Sequence, residues 1–149
     1  FDVAQIYYNL LNPSAFFSTQ GKWNDQNFSN LIKNCKSKDM GLMNIRIYAA
    51  GYLATEKRHG REIPITFGID ETELNKRVEK INFILRDIQG TKAQKALRYG
   101  LSNDDMSTIV IGLAEISHLE EALEGYELGS LDEEILKKIK ELQMNNFIN

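Results

Sequence analysis

Three short segments rich in β-branched and aromatic residues are separated by long stretches with helical periodicity. This alternation restricts the possible folds more than any other feature of the sequence. The predicted strands cover residues 3–8, 42–49 and 107–112, and turn residues at their ends are typical of strands. Because no two of them are near enough for a tight hairpin, the connections favour parallel strands joined by right-handed crossovers.

Helices are predicted wherever apolar residues recur at three- and four-residue spacing. The first covers residues 27–39, a second begins at the N-cap Asp70, and a shorter one follows Gly90. Two capping boxes predict the starts of the last two helices: Ser117 with Glu120, and Ser130 with Glu133. The predicted order of elements is therefore βαβααβαα, an α/β fold of three parallel strands with outer helices.

The length of the chain limits how this sheet can be completed. At 149 residues we expect a single domain over 1–149, but three parallel strands leave two open sheet edges. A complete eight-stranded barrel typically needs about 250 residues, and a flavodoxin-like sheet has five strands. The sequence also opens with Phe1 and enters a strand almost at once. These features predict a partial domain, a fragment of something longer.

Charge and composition exclude several classes of function. The net charge is −3, so we expect no general attraction to nucleic acid or to an anionic membrane. Apolar runs fall well short of the roughly 20 residues that span a bilayer, and nothing resembles a signal peptide, so we expect a cytoplasmic protein. Cys35 is the only cysteine, which excludes an internal disulfide and a cysteine zinc site.

Small residues follow the second and third predicted strands, at 49–51 and 112–114. In a barrel, function lies at the carboxyl ends of the strands, and the last two βα loops often bind phosphate. Small residues let backbone N–H groups approach an anion, and the helix after 112–114 favours negative charge at its start. Any tight strand-to-helix turn also needs small residues, so this pattern alone does not decide between the two interpretations.

A few polar side chains are further candidates. His118, in the first turn of a helix, is a potential phosphate donor or simply an exposed residue. A basic loop with Lys57, Arg58, His59 and Arg61 could cover a dinucleotide or be solvated. Arg46, inside an apolar strand, would need a partner or ligand if buried. No catalytic triad, paired-carboxylate motif, GxGxxG or P-loop stands out.

Three stretches resemble the C-terminal part of the aldo-keto reductases, and together they cover essentially the whole chain. The segment QIYYNLLNP is similar to the sixth-strand pattern of that family, and GLMNIRIYAAGYL to its seventh strand and following corner. The segment LRYGLSNDDMSTIVIGLAEISHLEEALEGYE resembles the closing motif. The resemblance implies the C-terminal half of a TIM (β/α)8 barrel, whose complete form transfers hydride between a nicotinamide cofactor and an aldehyde, ketone or sugar.

The resemblance also implies a cofactor site. Gln5 would hydrogen-bond the nicotinamide carboxamide. The pyrophosphate would be faced by Ala50, Gly51 and Leu53. The adenosine end would be surrounded by Gly112, Leu113, Ala114, His118 and Glu121. NADPH-preferring members commonly carry a Lys-Ser pair and an arginine where this chain has Gly112, Leu113 and His118. The cofactor is therefore NADP or NAD.

The acid-base tetrad of the family, Asp, Tyr, Lys and His, comes from the first four strands and has no counterpart here. No catalytic residue is therefore predicted in this chain. Expected partners are a nicotinamide dinucleotide and either the N-terminal half of the barrel or a second copy. Two alternatives remain at this point: a non-catalytic half-barrel acting as a self-associating or accessory subunit, and a small phosphate-binding α/β domain.

Overall fold

The computed structural model describes residues 1–19, 26–56 and 70–148. Its elements follow the predicted order βαβααβαα. They are β1 (Val3–Tyr7), α1 (Leu31–Lys36), β2 (Gly41–Ile45), α2 (Glu71–Ile84), α3 (Lys92–Leu101), β3 (Thr108–Ile109), α4 (Ile116–Glu127) and α5 (Glu133–Met144). Among the described residues, no helix is both long and apolar enough to cross a bilayer.

The strands form one parallel sheet in the order β1-β2-β3, which confirms the predicted arrangement. Val3 pairs with Gly41 and Tyr7 with Ile45 along the first ladder, whereas β3 pairs with β2 over only two positions. Each strand is shorter than the segment predicted for it from the sequence. The carboxyl ends of all three lie at the same edge of the sheet, because parallel strands begin and end together.

Buried asparagines replace backbone pairing at the end of the first ladder. The side chain of Asn44 accepts from the N–H of Tyr8 and donates to its carbonyl, both at 3.0 Å. In return, Asn9 donates through Nδ2 to the carbonyl of Arg46 at 2.9 Å. Asn44 and Asn9 are almost fully buried, and the two bonds between Asn44 and Tyr8 are shielded from water. They fix the positions at which both chains leave the sheet.

The hydrophobic core lies between the sheet and the helices. Cys35 is buried there, in agreement with a packing role for a lone thiol. Other core members come from every layer: Ile6, Leu10, Ile32, Leu42, Leu53, Val78, Ile81, Ala96, Tyr99, Ile139 and Leu142. Since β1, β2 and four of the helices all contribute, the described elements share one core.

Helix starts were predicted with mixed success. Asp70 caps α2 as expected, since its carboxylate accepts from the N–H of Thr72. The capping boxes at Ser117 and Ser130 are wrong, because α4 and α5 begin after Glu115 and Asp132 without a side-chain cap. The hydroxyl of Ser130 instead donates to the carbonyl of Leu101. These residues are far apart in sequence, so the spacing of Ser130 and Glu133 could not indicate this contact.

The packing of α4 on α3 depends on small residues. A Cβ at Gly125 would lie 2.9 Å from Cγ and 3.2 Å from Cα of Gln94, so only glycine permits this approach. Ala122 is buried at the same interface, whereas the larger apolar residues of α4 are exposed: Ile116, Leu119, Leu123 and Tyr126. The large apolar side chains of this helix therefore lie mostly on its outer side.

Because Tyr99 is buried, we predict that the free energy of unfolding decreases at alkaline pH. Its ring stacks on Tyr8 in the core, and burial raises its pKa to about 12, whereas an unfolded tyrosine ionises near pH ~10. Between these values the folded protein keeps a proton that the unfolded chain has lost. The contribution of Tyr99 to stability is therefore full below pH ~10 and falls by about 1.4 kcal/mol per pH unit up to pH ~12.

Urea unfolding at a series of pH values measures this loss. We expect Tyr99→Phe to reduce the slope above pH ~10, because that side chain can no longer ionise in the unfolded chain. Tyr126 is exposed, so Tyr126→Phe is the matched control and should leave the slope unchanged. An equal slope in wild type and Tyr99→Phe would contradict the assignment.

Candidate functional site

A cleft of about 660 Å³ opens at the carboxyl ends of β2 and β3. Its walls are the segment that follows β2, the segment that follows β3, and the first turns of α4. The lining is mostly apolar and small, with a few polar side chains at its edges. Both corners singled out in the sequence, 49–51 and 112–114, thus border one space.

The corner after β2 has an unusual backbone. Ala49, Ala50 and Gly51 have φ values of 46°, 53° and 87°, all in the left-handed region. For alanine this conformation costs roughly 1–2 kcal/mol per residue, and such strain is characteristic of functional sites. The N–H groups of Ala49 and Gly51 donate to the carbonyls of Arg46 and Tyr48, respectively, and so form tight turns. The N–H of Ala50 has no acceptor among the described residues.

The corner after β3 is open. A Cβ at Gly112 would meet no atom within 4 Å, and the N–H groups of Gly112 and Leu113 have no acceptor in the described part of the chain. The N–H of Ala114 donates to Nδ1 of His118 at 3.4 Å. Since this nitrogen accepts, a neutral His118 carries its proton on Nε2, where it can donate. This wall can therefore offer several donors to an anion.

Glu121 and Tyr48 give the cleft an acidic and a phenolic group. The carboxylate of Glu121 accepts from the hydroxyl of Thr91 at 2.6 Å, which fixes its position beside the cleft. Burial, and then the nearby negative charge of Glu121, raise the pKa of Tyr48 to about 12. Tyr48 is thus a neutral hydrogen-bond donor at physiological pH, although sequence reasoning did not select it. Its position directly before the corner 49–51 was the available signal.

Arg46 differs from its predicted environment. The apolar segment around it suggested a buried guanidinium, but β2 ends at Ile45 and Arg46 is exposed at the edge of the cleft. Its φ of 60° turns the chain out of the ladder, which is why the strand ends earlier than predicted.

The structure brings most of the predicted cofactor residues together. Ala50 and Gly51 lie across from the second group in the lining of the cleft: Gly112, Leu113, Ala114, His118 and Glu121. Leu53 is buried in the core instead, where it supports the turn. Gln5 is exposed on β1 and is not part of this lining. The basic loop with Lys57, Arg58, His59 and Arg61 lies outside the described residues.

The polar groups that line this site are mainly hydrogen-bond donors. In residues 1–19, 26–56 and 70–148, no group of three His, Cys, Asp or Glu side chains could hold a metal ion. The site instead combines free backbone N–H groups, a guanidinium and an imidazole. These groups suit an organic anion.

Comparison with known proteins identifies the family. The sequence model of the Aldo/keto reductase family matches residues 1–144. The aldo-keto reductase AKR11C1 from Bacillus halodurans is a similar solved structure, with a TM-score of 0.66 and 16% sequence identity in its holo form. The match covers 93% of this chain and 41% of that chain. The apo form gives the same TM-score and identity, with 42% of its chain covered. No curated protein matches the sequence significantly.

These findings confirm the predicted fold and family. The three parallel strands and their helices form part of a TIM barrel, and the chain spans less than half the length of AKR11C1. The chain belongs to the aldo/keto reductase family.

Proposed function

We propose that the cleft between β2 and β3 binds a nicotinamide dinucleotide. On this proposal the chain is the cofactor-binding part of a larger barrel that transfers hydride between the cofactor and an aldehyde, ketone or sugar. The observation that carries the proposal is the convergence of the two small-residue corners on one cleft of about 660 Å³. The family match over residues 1–144 supports the same conclusion.

The residues of the cleft fit such a ligand. A pyrophosphate needs donors without bulky side chains, and the free N–H of Ala50, next to Gly51, meets that need. The free N–H groups of Gly112 and Leu113 are donors at the adenosine end. The imidazole of His118 adds a donor on the β3 side, and the carboxylate of Glu121 can accept from ribose or adenine donors. Gln5, exposed in the middle of β1, would hydrogen-bond the nicotinamide carboxamide.

The bound cofactor would supply the hydride, and the proton donors would come from elsewhere. The family's Asp, Tyr, Lys and His tetrad has no counterpart in this sequence, so this chain binds and orients the cofactor without moving the substrate proton. An N-terminal half-barrel, or a second copy, would complete the site and cover the open sheet edges. On this proposal, residues 1–149 form a single partial domain.

The same cleft would accept NAD as well as NADP. The places that carry basic residues in NADPH-preferring members hold Gly112, Leu113 and His118. With only one imidazole there, a 2′-phosphate would gain little over a ribose hydroxyl. We therefore expect similar affinities for NADH and NADPH.

Blocking the cleft tests this proposal. Gly112 lies in open space and its φ is not in the left-handed region, so Gly112→Trp should fill the cleft without straining the fold. We expect the wild-type chain to bind NADH in isothermal titration calorimetry, and the variant to bind it at least about tenfold more weakly, a difference of about 1.4 kcal/mol.

The control for this experiment is Glu134→Trp, which adds the same side chain at an exposed position of α5. It should bind NADH like the wild type, and circular dichroism should show that both variants are folded. A wild-type chain that does not bind NADH, or a Gly112→Trp variant that binds it equally well, would refute the proposal.

A further inference from the structure

Arg46 is the only lysine or arginine among the described residues that line the cleft. We propose that its guanidinium binds the pyrophosphate of the dinucleotide. This inference rests on the proposed function and adds a charged contact to it. A guanidinium suits this role because its planar fork of donors matches two phosphate oxygens at once.

The backbone of Arg46 is held in place from two sides. Its carbonyl accepts from Nδ2 of Asn9 at 2.9 Å and from the N–H of Ala49 at 3.0 Å. Asn9 is almost fully buried, so the first contact is anchored in the core. A non-glycine residue at a φ of 60° persists only where its surroundings fix it, and such residues cluster at ligand sites. Two anchored bonds thus maintain a conformation that puts an arginine at the cleft.

The guanidinium is also electrostatically available. Lys36 and Lys92 are each paired with a carboxylate, Asp105 and Glu56 respectively. Arg46 has no carboxylate within ion-pair distance in the described part of the chain. It therefore need not break an existing ion pair to bind an anion.

The surroundings favour the pyrophosphate over other parts of the ligand. Arg46 lies a few residues before the left-handed corner, where the N–H of Ala50 has no acceptor among the described residues. The positive charge of Arg46 and the free N–H of Ala50 together assign the phosphates to this end of the cleft.

Charge removal at this position tests the inference. We expect Arg46→Gln to bind NADH and inorganic pyrophosphate about tenfold more weakly than wild type in calorimetric titrations at low salt. Arg46→Lys, which keeps the charge, should recover part of the affinity. Adenosine, which has no phosphate, should bind both variants as it binds wild type. The difference between wild type and Arg46→Gln should shrink as the salt concentration rises.

Lys38→Gln is the matched control, because it removes one positive charge from an exposed residue outside the cleft. An equal loss in this control, or no loss in Arg46→Gln, would overturn the inference while NADH binding by wild type still stands. A larger loss for NADPH than for NADH would assign the guanidinium to the 2′-phosphate and also overturn it. Failure of wild type to bind NADH would refute the proposed function itself, and this inference with it.

Discussion

Replacing Asn44 by leucine is expected to lower the free energy of unfolding by about 3–5 kcal/mol. The side chain of Asn44 pairs with both backbone groups of Tyr8 at 3.0 Å, and both residues are buried. Leucine has nearly the same branched shape, so it fills the space but leaves a buried N–H and a buried carbonyl without partners. Each such group costs about 1–3 kcal/mol.

Urea unfolding followed by circular dichroism measures this effect. The control is Asn34→Leu, on an exposed face of α1, which should change stability by no more than about 0.5 kcal/mol. If Asn44→Leu changed the free energy of unfolding as little as the control, the amide of Asn44 would not stabilise the contact between the chain segments that follow β1 and β2. The loss would also release the segment that carries Arg46, so we expect weaker NADH binding in the same variant.

Replacing Arg98 by methionine is expected to have an effect of similar size, about 3–5 kcal/mol. Its guanidinium donates to the carbonyls of Gln89, Gly129 and Ser130 at 2.8, 2.9 and 3.0 Å. Arg98 thereby joins the turn before α3 to the connection between α4 and α5. Methionine keeps much of the apolar stem but satisfies none of these carbonyls.

The matched variant is Arg86→Met, since Arg86 is largely exposed and its two contacts, with the carboxylate of Asp87 and the ring of Phe83, are to exposed side chains. Its unfolding midpoint should stay close to that of the wild type. Arg98→Lys separates charge from geometry, because an ammonium keeps the charge but cannot serve three carbonyls in a planar fork. Wild-type stability in Arg98→Lys would show that charge alone accounts for the stabilisation.

The parallel order of the strands was predictable from sequence because it depends on spacing. Segments separated by a helix cannot form a tight hairpin, and a right-handed crossover then leaves little choice of topology. The corners 49–51 and 112–114 were predictable for the same reason, since each comes shortly after a strand and both strands end at one edge. Their meeting in one cleft follows from that topology.

Other features of the site could not be predicted because they depend on partners distant in sequence. The carbonyl of Arg46, just beyond the end of β2, is held by Asn9 from the segment that follows the neighbouring strand β1. Nothing in the apolar run around Arg46 indicates a left-handed residue. The burial of Leu53 in the core likewise depends on contacts that no local pattern around it indicates.

By itself, the sequence determined the α/β class, the parallel order and the family, because these depend on periodicity and motifs within single segments. Only the tertiary structure decided where the strands end, which residue of the corner keeps a free N–H, and that Arg46 is exposed at the cleft. Those features arise from hydrogen bonds between residues far apart in the chain, so they cannot be predicted from a local sequence pattern.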